Sequence, residues 1–361
     1  MKYYSRNRFF PVPNFLMRPS VGFDISDRSI KFVELIERGK VICLGKFGEK
    51  RIPPGVIESG KIKNVEEFKK ILIFLKEKYN LSFVRVSLPE QQVYIFKLNL
   101  PEIKNGKIRD ALELQLEKHI PISAAESVFD YDFINSKKEG GYNFQVAALP
   151  KSIIESYLTP LKESGLVPIG FEIEAQAISR AVIPYDSQDT FMIIDFGETR
   201  TGISIVSQGI VCFTSTIDIG GHTLTKIIQK SFKVSFEEAE KIKKEYGLKK
   251  DPERKEVFST LLNIISVLRD EINKHYIYWY THKDEDNKQR PNIKKIVLCG
   301  RNSNLIGFVD YLSMSMRTKV ELGNAWVNIN SLEKYVPEIS ANDSMGYTTS
   351  IGLALGDFCH D

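Results

Sequence analysis

The residues of this chain best equipped for chemistry stand in two short polar turns. One, in "VGFDISDRSIKFVEL", holds Asp24, Ser26, Asp27, Arg28, Ser29 and Lys31; the other, in "IDFGETRTG", holds Asp195, Gly197, Glu198, Thr199 and Thr201. Each follows an apolar run that ends on an aspartate. Hydroxyls and backbone N–H groups gathered in a turn form an anion nest. Two strand-end carboxylates, here Asp24 and Asp195, suit the hydrated shell of a Mg²⁺ that also binds phosphate. Facing each other, two such turns would clamp a polyphosphate. The plainer reading is that Asp and Ser bond their own backbone in any turn.

What lifts the chemical reading is repetition. "FDISDRSIKFVEL" and "IDFGETRTGISIV" use one device twice: apolar strand, Asp, short polar hairpin, alternating strand. Each copy continues into a third strand, "KVICLGKFGEKRIP" in the first half and "GIVCFTSTIDIGG" in the second. "VEEFKKILIFLKEKYN" then carries Phe68, Ile71, Leu72, Leu75 and Tyr79 at helical spacing, and "FVRVSLP" returns to strand. The expected class is a duplicated α/β fold.

Between the copies the pattern changes. "VYIFKLNLP", a helix at about 105–119, "SVFDYDFI" and "YNFQVAALP" with a "KKEGG" turn predict a small inserted α+β subdomain of strand-helix-strand-strand (SHS2) order. We delimit a tail at 1–20, a first domain at 21–94 and 166–190, the insert at 95–165, a second domain at 191–225 and 291–361, and a helical part at 226–290. The helical part includes "SFEEAEKIKKEYG" and a long helix near 255–281, ended by the charged loop "HKDEDNKQRPN". "IKKIVLCGRNSNLIGFVDYLS" follows as strand, Gly turn and helix, and "TTSIGLALGD" as a closing small-residue helix.

Composition bounds the class. With 361 residues, 42% hydrophobic and 27% charged, the chain suits a globular protein of several domains. Its net charge of +4 gives no general case for nucleic-acid binding. The four cysteines and five histidines are scattered without metal-ligand spacing, which argues against zinc and for reduced thiols in a cytoplasmic compartment. No run reaches transmembrane length. The aromatic and basic tail lacks the apolar core of a secretory signal; disorder, packing on the domain, and contact with a membrane or partner all stay open for it.

These motifs together resemble the superfamily of actin, sugar kinases and the heat-shock chaperones, whose ribonuclease H-like duplicated domains hold Mg²⁺-ATP in a cleft. The resemblance runs over nearly all of residues 20–357. It makes the two hairpins phosphate loops, and it carries Gly220, Gly221, Gly300, Arg301, Asn302 and Ser303 into the nucleotide site through the Gly turns "IDIGG" and "CGRNS". It also places Glu240 and Lys243 of "AEKIK" beside base and ribose, and Glu174 of "IEAQAISRA" where a water would be oriented in line with the γ-phosphate, with Gln176 beside it.

Within the superfamily the insert resembles the FtsA and PilM branch. "PGVIESGKIKN", "VSLPEQQVYIFKLNLP", "LEKHIPIS" and the compact "GLALG" are similar to the PilM family of type IV pilus assembly. That resemblance implies a cytoplasmic scaffold, peripheral to the inner membrane, that takes the cytoplasmic N-terminal peptide of a PilN-like membrane protein along the insert. Self-association, an FtsA-like division adaptor and a small-molecule kinase are the competing readings; the C-terminal "GDFCHD" offers no amphipathic membrane helix for the adaptor. Two departures from the superfamily bear on activity. Ser26 stands where glycine is usual, with Asp27 next to it, and "CGRNS" keeps only Gly300 of a glycine-rich run. Bulk and negative charge near an anion predict at most a slow ATPase.

Overall fold

The computed structural model describes residues 20–39, 41–102, 107–136, 141–249, 255–283, 288–329 and 335–358. The tail before residue 20, most of the "KKEGG" turn, the centre of the charged loop, Cys359 and His360 lie outside the described residues. The chain divides into two compact units: residues up to Ala181 with Ile329–Glu338 and Thr349–Asp361, and Val182–Asn328 with Ile339–Thr348.

In the first unit, β1 (Val21–Ile25), β2 (Ser29–Arg38) and β3 (Val41–Arg51) form an antiparallel meander. A small hairpin, β4 (Ile57–Glu58) and β5 (Lys61–Ile62), precedes α1 (Val65–Tyr79). The Asn64 side chain caps α1 by accepting from Glu67 N, and the helix stops at Asn80, a left-handed residue with φ 49°. Its buried face is Phe68, Ile71, Leu72 and Leu75, as the spacing predicts. β6 (Phe83–Leu88) then pairs in parallel with β1.

The insert follows as β7 (Tyr94–Leu100), α2 (Ile108–Glu113), β8 (Ser127–Ser136) and β9 (Tyr142–Pro150), with sheet order β7-β9-β8. Its own core joins Leu98, Leu100, Leu112, Leu116, Phe144 and Val146. The helix expected at 105–119 is shorter: α2 begins without a side-chain cap, and Leu116–Lys118 tighten into a 3-10 turn. Ile108, Leu112 and Leu116 still reach the same core.

The insert also ends sooner than the sequence suggests. α3 (Lys151–Glu163) sends Tyr157 and Leu161 into the core under β1 and β2, not into the insert's core. β10 (Val167–Ile173) closes the sheet in the order β10-β6-β1-β2-β3, and α4 (Glu174–Val182) leaves it.

The second unit repeats the plan. β11 (Thr190–Phe196), β12 (Thr201–Ser207) and β13 (Ile210–Ile217) form the meander; α5 (Gly221–Phe232), α6 (Phe236–Tyr246) and α7 (Lys255–Thr281) cover it. β14 (Ile293–Cys299), α8 (Phe308–Met316), β15 (Val320–Leu322) and α9 (Ala341–Ser344) complete it, with order β13-β12-β11-β14-β15. α7 buries Val257, Leu261, Ile265, Leu268, Ile272 and Trp279, an i, i+4 stripe that reaches one continuous core.

The last helix, α10 (Thr348–Leu355), packs within the first unit. It approaches so closely that a Cβ at Gly352 would stand 1.7 Å from Ala177 O of α4. Arg85, Glu172, Arg180 and Asp357 tie it down: Arg85 donates to Glu172 (3.1 Å) and Asp357 (2.8 Å), and Arg180 to Glu172 (2.7 Å) and Gly352 O (2.9 Å).

Candidate nucleotide half-sites

The first unit's hairpin is built inward. Asp24 is buried at the end of β1 and accepts from the Ser87 hydroxyl (3.2 Å), which itself accepts from Ile25 N. Ser26 closes the turn on Ser29, its N–H and hydroxyl both donating to Ser29 O. The buried Asp27 accepts from Ser59 N (3.1 Å) and Gly60 N (3.0 Å) at the tip of the β4–β5 hairpin. Both tip residues have positive φ, 49° and 71°; the carboxylate fastens the tip through its N–H groups, while the Tyr157 hydroxyl donates to Gly60 O (2.8 Å). Asp27 is thus a structural tie; the crowding role given to it from the sequence does not fit this orientation. Arg28 and Lys31 are half-buried and neither is ion-paired among the described residues.

The second unit's loop closes on a helix start. Gly197 N donates to Asp195 O and Arg200 O, while Gly197 O and Glu198 O accept from Gly221 N (3.0 Å) and His222 N (2.8 Å). The first N–H groups of α5, which a helix leaves open, are therefore taken up by the loop, whose tip residue Thr199 makes no hydrogen bond among the described residues. Two hydroxyls proposed from the sequence point elsewhere. Thr201 donates to Ile219 O (2.6 Å) and buried Ser303 donates to Cys299 O, so both hold backbone in place.

Around α5 and α6 the remaining residues converge. Lys243 is buried, 4% exposed, and its Nζ reaches Glu240 Oε2 (2.7 Å), Thr225 Oγ1 (3.0 Å), Gly221 O (3.2 Å) and Asn302 Oδ1 (3.2 Å). Thr225 donates to Glu240 Oε2 (2.5 Å), and Asn302 Nδ2 donates to Gly197 O (2.9 Å). Burial alone would raise the Glu240 carboxyl, but hydrogen bonds from Lys243 and Thr225 hold it below the usual carboxylate range. Thr225 is the member that sequence reading missed; its place one helical turn after Gly221 in "GGHTLT" is the available signal.

Two glycines lie in close approach to neighbouring groups, a side-chain amide at Gly221 and, with positive φ, a carboxylate and backbone at Gly300. A Cβ at Gly221 would stand 1.9 Å from Asn302 Oδ1. Gly300 has φ 83°, and a Cβ there would meet Asp195 Oδ1 at 2.4 Å. Beyond it the 301–304 turn is docked on its own unit: Gly300 N donates to Met345 O, and Asn304 donates to Asn342 O (2.7 Å). Burial, aided by Asp195, pushes the Cys299 thiol well up, which makes it an inert core group. Glu174 opens α4 half-buried, and Gln176 donates to Asp132 of the insert at 3.5 Å.

Two sheets of matching order, each with an Asp-ended strand leading into a polar hairpin, define an actin-like ATPase fold, and solved structures of that class share it. MreB5 of Spiroplasma citri bound to ADP superposes with a TM-score of 0.53 at 14% identity, covering 92% of this chain and 95% of that one. Ethanolamine utilization protein EutJ from Carboxydothermus hydrogenoformans gives 0.56 at 17%, covering 96% and 91%. The family model for type IV pilus assembly protein PilM matches residues 22–358, and the chain belongs to that family. A "PilM-PilN type IV pilus biogenesis complex" gives a TM-score of 0.77 at 18% identity over 95% of this chain and 99% of that one. Among curated proteins, cell division protein FtsA of Enterococcus hirae is 26% identical over 255 residues, and that of Neisseria meningitidis 32% over 89. The chain spans 57% of the first and 22% of the second. No described helix is long and apolar enough to cross a membrane.

Proposed function

We propose that this chain is a nucleotide-binding scaffold of type IV pilus assembly, working in the cytoplasm at the inner face of the cytoplasmic membrane. It is held there by the cytoplasmic N-terminal peptide of a PilN-like membrane protein. The observation that carries the reading is the PilM family match, which runs over both units and the insert without a break. The PilN named in the related complex supports the partner. The insert offers what an extended peptide needs: β7 and β8 are the edge strands of its sheet, and main-chain pairing favours β7, since Arg109 and Asp130 engage Phe129 O and Tyr131 N of β8.

The nucleotide is ATP with Mg²⁺. On the second unit the fitting residues are Thr199, whose donors are unengaged among the described residues, Asp195 near the strand end, and the Glu240, Lys243 and Gly221 group. On the first unit Arg28 and Lys31 are the phosphate-facing cations, and Asp24 is a water-mediated ligand of the metal. ATP brings a transferable γ-phosphoryl; this chain's residues bind and orient it, with Glu174 as the water-orienting group and slow turnover. The nucleotides named for the MreB5 structures support this assignment.

The partner is tested by titrating a labelled peptide of the neighbouring membrane protein's N-terminus against the full chain and against Lys97→Glu with Asp132→Lys, which reverse charges on one face of the insert. Saturable binding that weakens in the variant is expected. Absent binding, or ATP-dependent pelleting with liposomes, favours the FtsA-like adaptor that the FtsA relatives suggest.

A further inference from the structure

The Asn302 side chain lies inside the second unit's half-site. Its amide bridges three segments: it donates to Gly197 O of the hairpin loop (2.9 Å), accepts from Lys243 of α6 (3.2 Å), and lies flat on Gly221 at the start of α5. Lys243 and Asn302 belong to two separate elements that the resemblance assigns to the nucleotide site, and here they touch directly. We propose that Asn302 is a latch, closed over the nucleoside half-site, which nucleotide must open in order to bind. This rests on the nucleotide reading given above.

The bonding of the neighbours shows why the latch can open. An ammonium has three protons, and Lys243 has four oxygens within reach. With Asn302 gone, Glu240, Thr225 and Gly221 still satisfy all three protons. Gly197 O accepts from Gly221 N as well as from Asn302, so it too keeps a partner. Asn302 is itself half-buried and can turn its amide toward water. No buried group is orphaned by the motion. The energetic barrier is only the net worth of two hydrogen bonds.

A closed fraction lowers apparent affinity by the share of molecules that are open. Two modest hydrogen bonds correspond to a population ratio of about tenfold or somewhat more. Asn302→Gly therefore tightens nucleotide binding by about tenfold. It also changes the kinetics: a side-chain turn over so small a cost equilibrates far faster than binding, so the observed rate stays linear in ligand with its slope scaled down by the open fraction.

The test uses the full chain with fluorescent N-methylanthraniloyl-ADP in calorimetry and stopped flow, comparing wild type with Asn302→Gly and Asn302→Ala. Thermal melting verifies that both variants are folded. The expected result is a rate linear in ligand for all three proteins, an association slope about tenfold steeper in both variants than in the wild type, and about tenfold tighter binding. Equal affinities and equal association slopes in all three proteins would overturn the latch and leave the nucleotide reading intact. Weaker binding in both variants makes Asn302 a nucleotide ligand, which also overturns it. No binding by any folded form at millimolar ADP removes the nucleotide reading and the latch with it.

Discussion

The two Asp-led hairpins are copies in sequence and in sheet position, yet their turns are held in different ways. In the first unit the turn carries its own anion: Asp27 is buried and fastens the Ser59–Gly60 tip, so the loop is rigid from behind. In the second, the matching turn has glycine at 197 and closes forward on α5, where a buried lysine, Lys243, gathers Glu240, Thr225 and Asn302. The same contrast runs along the strands. Gly22 sits in β1 where Ile193 sits in β11, because α10 comes within a Cβ radius of the first strand. The two sheets share one scaffold, while the packing around their turns differs.

That contrast can be broken most forcefully at Gly22. A Cβ there would meet Ser350 O at 1.9 Å and Ala354 N at 2.7 Å, and backbone atoms cannot move aside as a side-chain tip can. Gly22→Ala should lower stability by about 3 kcal/mol in denaturant melts. A change below about 0.5 kcal/mol would mean that α10 does not press on β1.

Asp27 gives a smaller and more diagnostic effect. Asp27→Ala strands the buried Gly60 N–H and frees the part-buried Ser59 N–H, and should cost about 2 kcal/mol, with Asp27→Asn recovering part of it. Unchanged stability together with tighter nucleotide binding would return Asp27 to the phosphate-facing role.

The second unit's cluster makes a pH prediction. The Glu240 carboxyl is held below its ordinary value, so its contribution is present above that ordinary value, about 4.3, and is lost as pH falls through the lower folded-state value. The stability gap between wild type and Glu240→Gln should therefore be constant near neutrality and shrink in acid. A gap that widens below pH 4 reverses the assigned sign.

The smallest effect belongs to the insert, which has no counterpart in the second unit. Gln145 is 5% exposed in β9, in register with Lys97 and Asp132, and neither amide atom has a hydrogen-bond partner among the described residues. Gln145→Leu should change melting stability by no more than about 1 kcal/mol. A larger loss reveals a partner for that amide.

Much of this was legible in the sequence, for identifiable reasons. Periodicity located α1 and α7, and the doubled Asp hairpin announced two sheets, because alternation and helical spacing are fixed by the pleat and the helix turn. The PilM resemblance was readable from "PGVIESGKIKN" and its companions and agrees with the family match. Side-chain direction was not readable. Nothing local says that Asp27 turns back toward Ser59, that Thr201 and Ser303 bond backbone, or that Asn302 rests on Gly221, since each depends on a partner many residues away. The end of the insert was misjudged for the same reason: α3 is amphipathic wherever it packs, and only the fold says that Tyr157 faces the core under β1.

The central claim is that the Asp195 hairpin and its cluster bind nucleotide. Calorimetric titration of Mg²⁺-ATP into the full chain and into Asp195→Ala, with melting curves to verify folding, addresses it most directly. The account predicts saturable binding by the wild type and at least about tenfold weaker binding by the variant, the loss expected for a charged group near the metal. Equal affinity in the two proteins, or no heat from the wild type at millimolar ATP, would contradict it.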